Sequence, residues 1–210
     1  MVRDTLKARH ATLSTMSASP ISPRAKKGAF LLYRDPNFAP KSIIFQYNPD
    51  SVQRTLIPQS LPEAGTKEPD PYLVKGQPIE TITLDVEFDA TDSLEHPDKN
   101  TTADLIGIYP QLAALESIMR PQTTVPTNTA QLDTPYAVFV WGTNRIVPVL
   151  LTNYLATEEA FDPNLNPTRA KVRIMMRVLT ADDFPLNHPG RKVYLDHLRR
   201  LEELAALAYQ

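Results

Sequence analysis

Two carboxylates three residues apart, in Asp89-Ala90-Thr91-Asp92, could hold a hard cation or share acid/base work. The stretch lacks the flanking ligands of a calcium loop and follows a predicted strand. A turn whose Asp side chains bond nearby backbone N–H groups is therefore the favoured reading. The four histidines, His10, His96, His188 and His197, form no H-x-x-x-H or H-E-x-x-H pair. Each has Pro, a charge or the basic N-terminal arm beside it, and exposed loop or helix positions are expected for them. Lys171, Arg173 and Arg177 alternate along one run and could meet phosphates. They interleave with a single slot for an aromatic and no glycine turn, so a solvated or intersubunit charged face is favoured over a nucleic-acid surface. Trp141 could stack on a ligand, but its place between Val140 and Gly142 reads as core or interface. No Gly-x-Ser-x-Gly elbow, Walker loop or Gly-x-Gly-x-x-Gly occurs. The expectation is a protein that is not an enzyme, with no catalytic, cofactor-binding or metal-binding residues.

The elements around these residues are mostly strands. Pro135–Thr180 holds three runs rich in β-branched and aromatic residues, cut by Gly142-Thr143-Asn144 and by Asp162–Pro167. In the last run Ala170, Val172, Ile174, Met176 and Val178 point one way, while Lys171, Arg173, Met175, Arg177 and Leu179 point the other. In Gln77–Ala90, Ile82, Leu84, Val86 and Phe88 are expected inward and Thr81, Thr83, Asp85 and Glu87 outward. Short strands are predicted over Ala29–Arg34 and Ser42–Tyr47, and an extended run over Val52–Ile57 after an Asn48-Pro49-Asp50 turn. Leu61–Tyr72, with Pro62, Gly65, Pro69 and Pro71, reads as a loop or flap. The period changes at Leu105, Ile108, Leu112, Leu115 and Met119, which share one stripe of a helix that Pro110 kinks or starts. A second helix spans Arg191–Tyr209, with Tyr194, Leu198, Leu201, Ala205 and Ala208 on one face.

With 210 residues, 42% of them hydrophobic, the chain can bury a real core. Six glycines against twenty prolines argue against glycine-rich phosphate loops and for many fixed connections. Zero cysteines exclude disulfides, iron–sulfur clusters and thiolate zinc sites. The net charge of −2 hides an asymmetry: residues 1–27 carry six cations against Asp4 alone, a net of +5, which leaves −7 for the rest. That arm has no apolar centre and reads as a disordered or partner-ordered segment. No stretch approaches the roughly 20 apolar residues that span a bilayer, so a soluble protein without membrane insertion is expected. The predicted organisation is the arm at 1–27, a β domain at 28–185 and the amphipathic helix at 186–210.

Several phrases, in this order, resemble the tube proteins of contractile injection systems, the phage-tail-like particles. They are FQYNPDSVQRTL (Phe45–Leu56), PIETITLDVEFDATD (Pro78–Asp92), LAALESIMRP (Leu112–Pro121) and the long ribbon Val138–Val178. The ribbon carries a turn at Trp141-Gly142 and another at Asp162-Pro163; with Asn48-Pro49 these are the structural turns the resemblance picks out.

The resemblance implies a mainly β (α+β) fold of two packed antiparallel sheets, a tail-tube-like barrel or sandwich with one flanking helix and a C-terminal helix. It implies a structural subunit that forms a hexameric ring at the junction of inner tube and baseplate and links the spike hub to the tube. Rings stack through loops and an extended hairpin or flap. Thr81, Thr83, Asp85 and Glu87 form one candidate lumen or interface face, and Lys171, Arg173 and Arg177 the other. The partners implied are five further copies, the adjacent inner-tube and spike or hub proteins, and wedge or sheath components through the C-terminal helix. No nucleic acid and no cofactor are expected. The setting implied is the bacterial cytoplasm, within an assembled particle that can be released. The resemblance is to the family's larger members, near this size, many of which carry a C-terminal LysM-type module; here the amphipathic helix is expected in its place. Two other readings stay open: a main inner-tube protomer, and a monomeric β-sandwich that binds a ligand through Trp141 and the Leu61–Tyr72 flap.

Overall fold

A computed structural model describes residues 26–33, 39–62, 69–74, 76–91, 105–120 and 136–209. Among these residues, nine strands and two α-helices follow the order β1 (Ala29–Tyr33), β2 (Lys41–Ile44), β3 (Val52–Ile57), β4 (Ser60–Pro62), β5 (Pro69–Val74), β6 (Ile79–Asp89), α1 (Tyr109–Met119), β7 (Tyr136–Trp141), β8 (Arg145–Phe161), β9 (Pro167–Val178) and α2 (Pro189–Ala206). A short 3-10 turn, Ala181–Asp183, leads into α2.

Seven strands pair into one antiparallel sheet in the order β2-β1-β7-β8-β9-β6-β3, and β4 pairs with β5 in a separate hairpin. Two packed sheets are thus replaced by one sheet that curls around its own core. The alternating residues of β6 and β9 put Ile82, Leu84, Val86, Phe88, Val172, Ile174 and Met176 into one cluster with Phe30, Phe45, Phe139 and Val149. The residue after β2 shows how far the curl goes. The Gln46 side chain accepts from the Asp89 N–H at 3.0 Å and donates to the Asp89 carbonyl at 2.5 Å, so it links the end of edge strand β2 to the end of β6. One amide side chain there replaces a ladder step.

Both helices pack on the inner face. α1 contributes Leu112, Leu115 and Ile118 to the core, with Ile108 at its N-cap and Pro110 in its first turn. Pro there needs no N–H partner, so it starts the helix and does not kink it. The predicted stripe shifts accordingly: Leu105 lies before the helix and is 67% exposed, and Ile118 takes the inward place given to Met119. Gly107, at φ +59°, lets the chain turn into the helix against the Pro167 carbonyl, which accepts from Ile108 N at 2.9 Å.

α2 docks only through its first half. Gly190, Tyr194 and His197 are buried and Leu198 packs on the core, whereas Leu201 and Leu207 are exposed. The distal turns run past the β7–β8 turn, where the Arg200 guanidinium donates to Asn144 Oδ1 at 3.0 and 3.1 Å. His197 therefore corrects the expectation of exposed histidines: it sits beneath α2 at 6% exposure. His188 is half-buried, and His10 and His96 lie outside the described residues.

The Leu61–Tyr72 flap is in part a hairpin, β4 with β5, and its residues 63–68 lie outside the described residues. So does most of the arm at 1–27. Where the described chain begins, Asn48 clamps it: Gly28 N donates to Asn48 Oδ1 at 2.8 Å, and Asn48 Nδ2 donates to the Lys26 carbonyl at 2.9 Å.

Candidate functional site

The charged residues singled out in β6 and β9 meet on one surface. The β6–β9 register sets Thr81 opposite Arg177, Thr83 opposite Met175, Asp85 opposite Arg173, Glu87 opposite Lys171 and Asp89 opposite Arg169. Side chains directly opposite one another in an antiparallel pair share a face. The two candidate faces are therefore neighbouring rows of a single outer face, with the core residues of both strands behind them.

The rows are joined by ion pairs. Arg173 donates from Nε to Asp85 Oδ1 at 2.8 Å and from Nη2 to Oδ2 at 3.0 Å. Lys171 Nζ lies 3.5 Å from Glu87 Oε1 and 3.4 Å from Glu159 Oε1, and Arg169 Nε lies 3.2 Å from Glu159 Oε2. Arg177 reaches Asp183 Oδ1 at 2.8 Å. The Arg173 hydrogen bond holds the Asp85 carboxyl below its usual range, and Asp85 in turn raises Arg173. Glu159, with Glu87 behind it, raises Lys171. Every cation proposed as a phosphate contact already has a carboxylate partner in the same chain.

The Gln46–Ser51 connection and the ladder border a broad groove of about 980 Å³, lined by Lys27, Tyr47, Asp50, Asp85, Glu87, Leu155, Lys171 and Arg173.

At one end of the sheet the β8–β9 turn is locked by Asp162. Its Oδ1 accepts from Asn164 N at 2.7 Å and Asn166 N at 2.8 Å, and its Oδ2 accepts from Asn166 Nδ2 at 2.8 Å. The hydrogen bonds from Asn166, side chain before backbone, hold the Asp162 carboxyl low. The lock forces Leu165 into the left-handed region at φ +64°, with its side chain 75% exposed. Exposed Phe161 and Leu105 lie at the same end, where Asn166 Nδ2 donates to the Leu105 carbonyl at 3.1 Å. Sequence reasoning marked Asp162 and Pro163 as a turn but did not find Leu165. The only available signal was a bulky apolar residue between two asparagines.

The other singled-out residues resolve into structural roles. The Asp89 carboxylate accepts from Thr91 N at 2.8 Å and from the Thr91 hydroxyl, the turn expected of it, and Thr91 lowers its pKa. Asp92 lies outside the described residues. Trp141 packs on Phe139, ring centroids 6.1 Å apart, and covers Gly28, where a Cβ would collide with the indole. Gly142, at φ +68°, then turns the chain into β8.

No curated protein shows a significant match to the chain. Residues 26–183, which span the curled sheet, α1 and the charged ladder, match the sequence profile of the contractile injection system tube protein. The chain therefore belongs to the contractile injection system tube protein family, as a structural component of a tail tube.

Proposed function

We propose that the chain forms a hexameric ring at the junction of inner tube and baseplate, where it links the spike hub to the tube. The observation that carries this reading is the state of the sheet edges. Among the described residues, β2 and β3 each pair on one side only, and β8 beyond Val149 has no partner on its β7 side. Ile44, Leu56, Ile57 and Leu155 are exposed along these strands. Free edges of this length invite pairing with another chain, and a closed ring removes them by giving each edge to a neighbour.

In this reading the ladder of Thr81, Thr83, Asp85, Glu87, Lys171, Arg173 and Arg177 lines the lumen or meets the next subunit. Its internal ion pairing argues against binding of nucleic acid there. Phe161 and Leu165 at the hairpin tip seat against the adjoining layer. The exposed distal half of α2 faces outward, toward wedge or sheath components. The assembled particle forms inside its bacterial producer.

Cross-linking of intact particles through photoreactive residues placed separately at positions 165 and 57, at opposite ends of the sheet, tests the position in the stack. Adducts with hub on one side of the ring and tube protein on the other are expected. Adducts with tube protein alone, on both sides, would make the chain a main inner-tube protomer instead.

A further inference from the structure

We propose that α2 is an acid-released latch, held against the sheet only while the His197 imidazole beneath it is neutral. His188 fixes the start of the helix, and His197 sits beneath its middle.

His188 is the N-cap of α2. Its Nδ1 accepts from Gly190 N at 3.1 Å, which satisfies one of the unpaired N–H groups at the helix start. Its ring stacks on Phe184 with centroids 4.7 Å apart and meets Tyr136 edge-on at 4.8 Å.

His197 lies two turns further along, over a cavity of about 120 Å³ that Arg54, Glu80, Thr180 and Tyr194 also line. Its Nε2 is buried without a hydrogen-bond partner. Arg54 from β3 and Arg145 from β8 both bear on it, and both oppose a second positive charge. Glu80 from β6 is the facing anion, but its Oε1 is already bonded to Arg54 Nε at 2.6 Å. The Tyr194 phenol is pushed up by its own burial and stays neutral. Burial first, then the two guanidiniums, lower the His197 pKa below its ordinary 6.5, with Glu80 opposing.

The sign of the effect follows. A histidine with a depressed pKa in the docked state binds fewer protons there than when released. Its contribution to docking is complete above 6.5 and declines as the pH falls from 6.5 toward the depressed value. The helix detaches at its middle, which uncovers the Arg54–Glu80 end of the inner face.

Hydrogen exchange on the full-length chain, expressed as protection factors at about pH 7.5 and about pH 5.5, tests this. Protection of α2 should fall at least severalfold, while β6 and β9 keep theirs. In the variant His197→Leu the fall should largely disappear, because Leu carries no proton. If that variant does not fold, His197→Asn, which does not titrate either, should likewise reduce the fall. Unchanged α2 protection in the wild type, an equal loss across β6 and β9, or a full loss in the variants overturns the proposal.

Discussion

Arg173 grips Asp85 across the β6–β9 pair with two near-parallel hydrogen bonds, 2.8 and 3.0 Å long, while both side chains stay more than half exposed. An exposed pair of this kind gains little over hydration, and salt weakens it further. Arg173→Ala should leave the melting temperature of the subunit nearly unchanged. The same variant should return the Asp85 pKa upward toward 3.8, which carboxylate NMR can follow. The pair's small contribution is present above that value and lost as the pH falls through the lowered pKa. An Asp85 pKa indifferent to Arg173 would contradict the assigned contact.

Phe139 sits fully buried among Phe30, Phe45 and Trp141, with centroids 5.6, 6.4 and 6.1 Å away. It joins β1, β2 and β7 to the core that the central strands supply. Phe139→Ala should cost about 3–5 kcal/mol in urea unfolding, transfer and cavity terms together. A cost below about 1 kcal/mol would mean the curled sheet does not close on this cluster.

Leu165 combines a left-handed backbone with an exposed side chain, so it contributes strain without burial in the lone subunit. Leu165→Asn should stabilise the isolated subunit by about 0.5–1 kcal/mol, since Asn tolerates this conformation. If the tip seats on an adjoining layer, the same change should reduce incorporation into particles. A variant that is both more stable and fully incorporated would remove Leu165 from the interface.

Asn48 ties residues 26 and 28 to the turn before β3 through two hydrogen bonds, one accepted by Oδ1 and one donated by Nδ2. Asn48→Ala leaves the part-buried Gly28 N–H without its acceptor and should cost about 1–2 kcal/mol by thermal or urea unfolding. Asn48→Asp keeps the acceptor and should recover part of that loss.

The alternation in β6 and β9 was readable because both are central strands with one face in the core, where period 2 must appear. The turns at Gly142 and Asp162 were readable for a local reason: their chemistry lies within a few residues. What the sequence could not yield were long-range relations. Lys171 pairs with Glu87 only through the β6–β9 register, so two faces that looked alternative became one. One curled sheet stood where two were expected because Gln46 bridges to Asp89, 43 residues away. His197 looked exposed in an amphipathic helix, since its burial depends on Arg54, Glu80 and Arg145 from three distant strands. Helix starts moved by a few residues, to Tyr109 and Pro189, with Pro110 and Pro189 in the first turns.

Electron microscopy of the full-length subunit, alone and in particles, tests the central claim most directly. The account predicts six-fold rings in which β-strands of neighbouring copies form one continuous wall around a lumen. A subunit that stays monomeric alone and contributes no ring to the particle would contradict it.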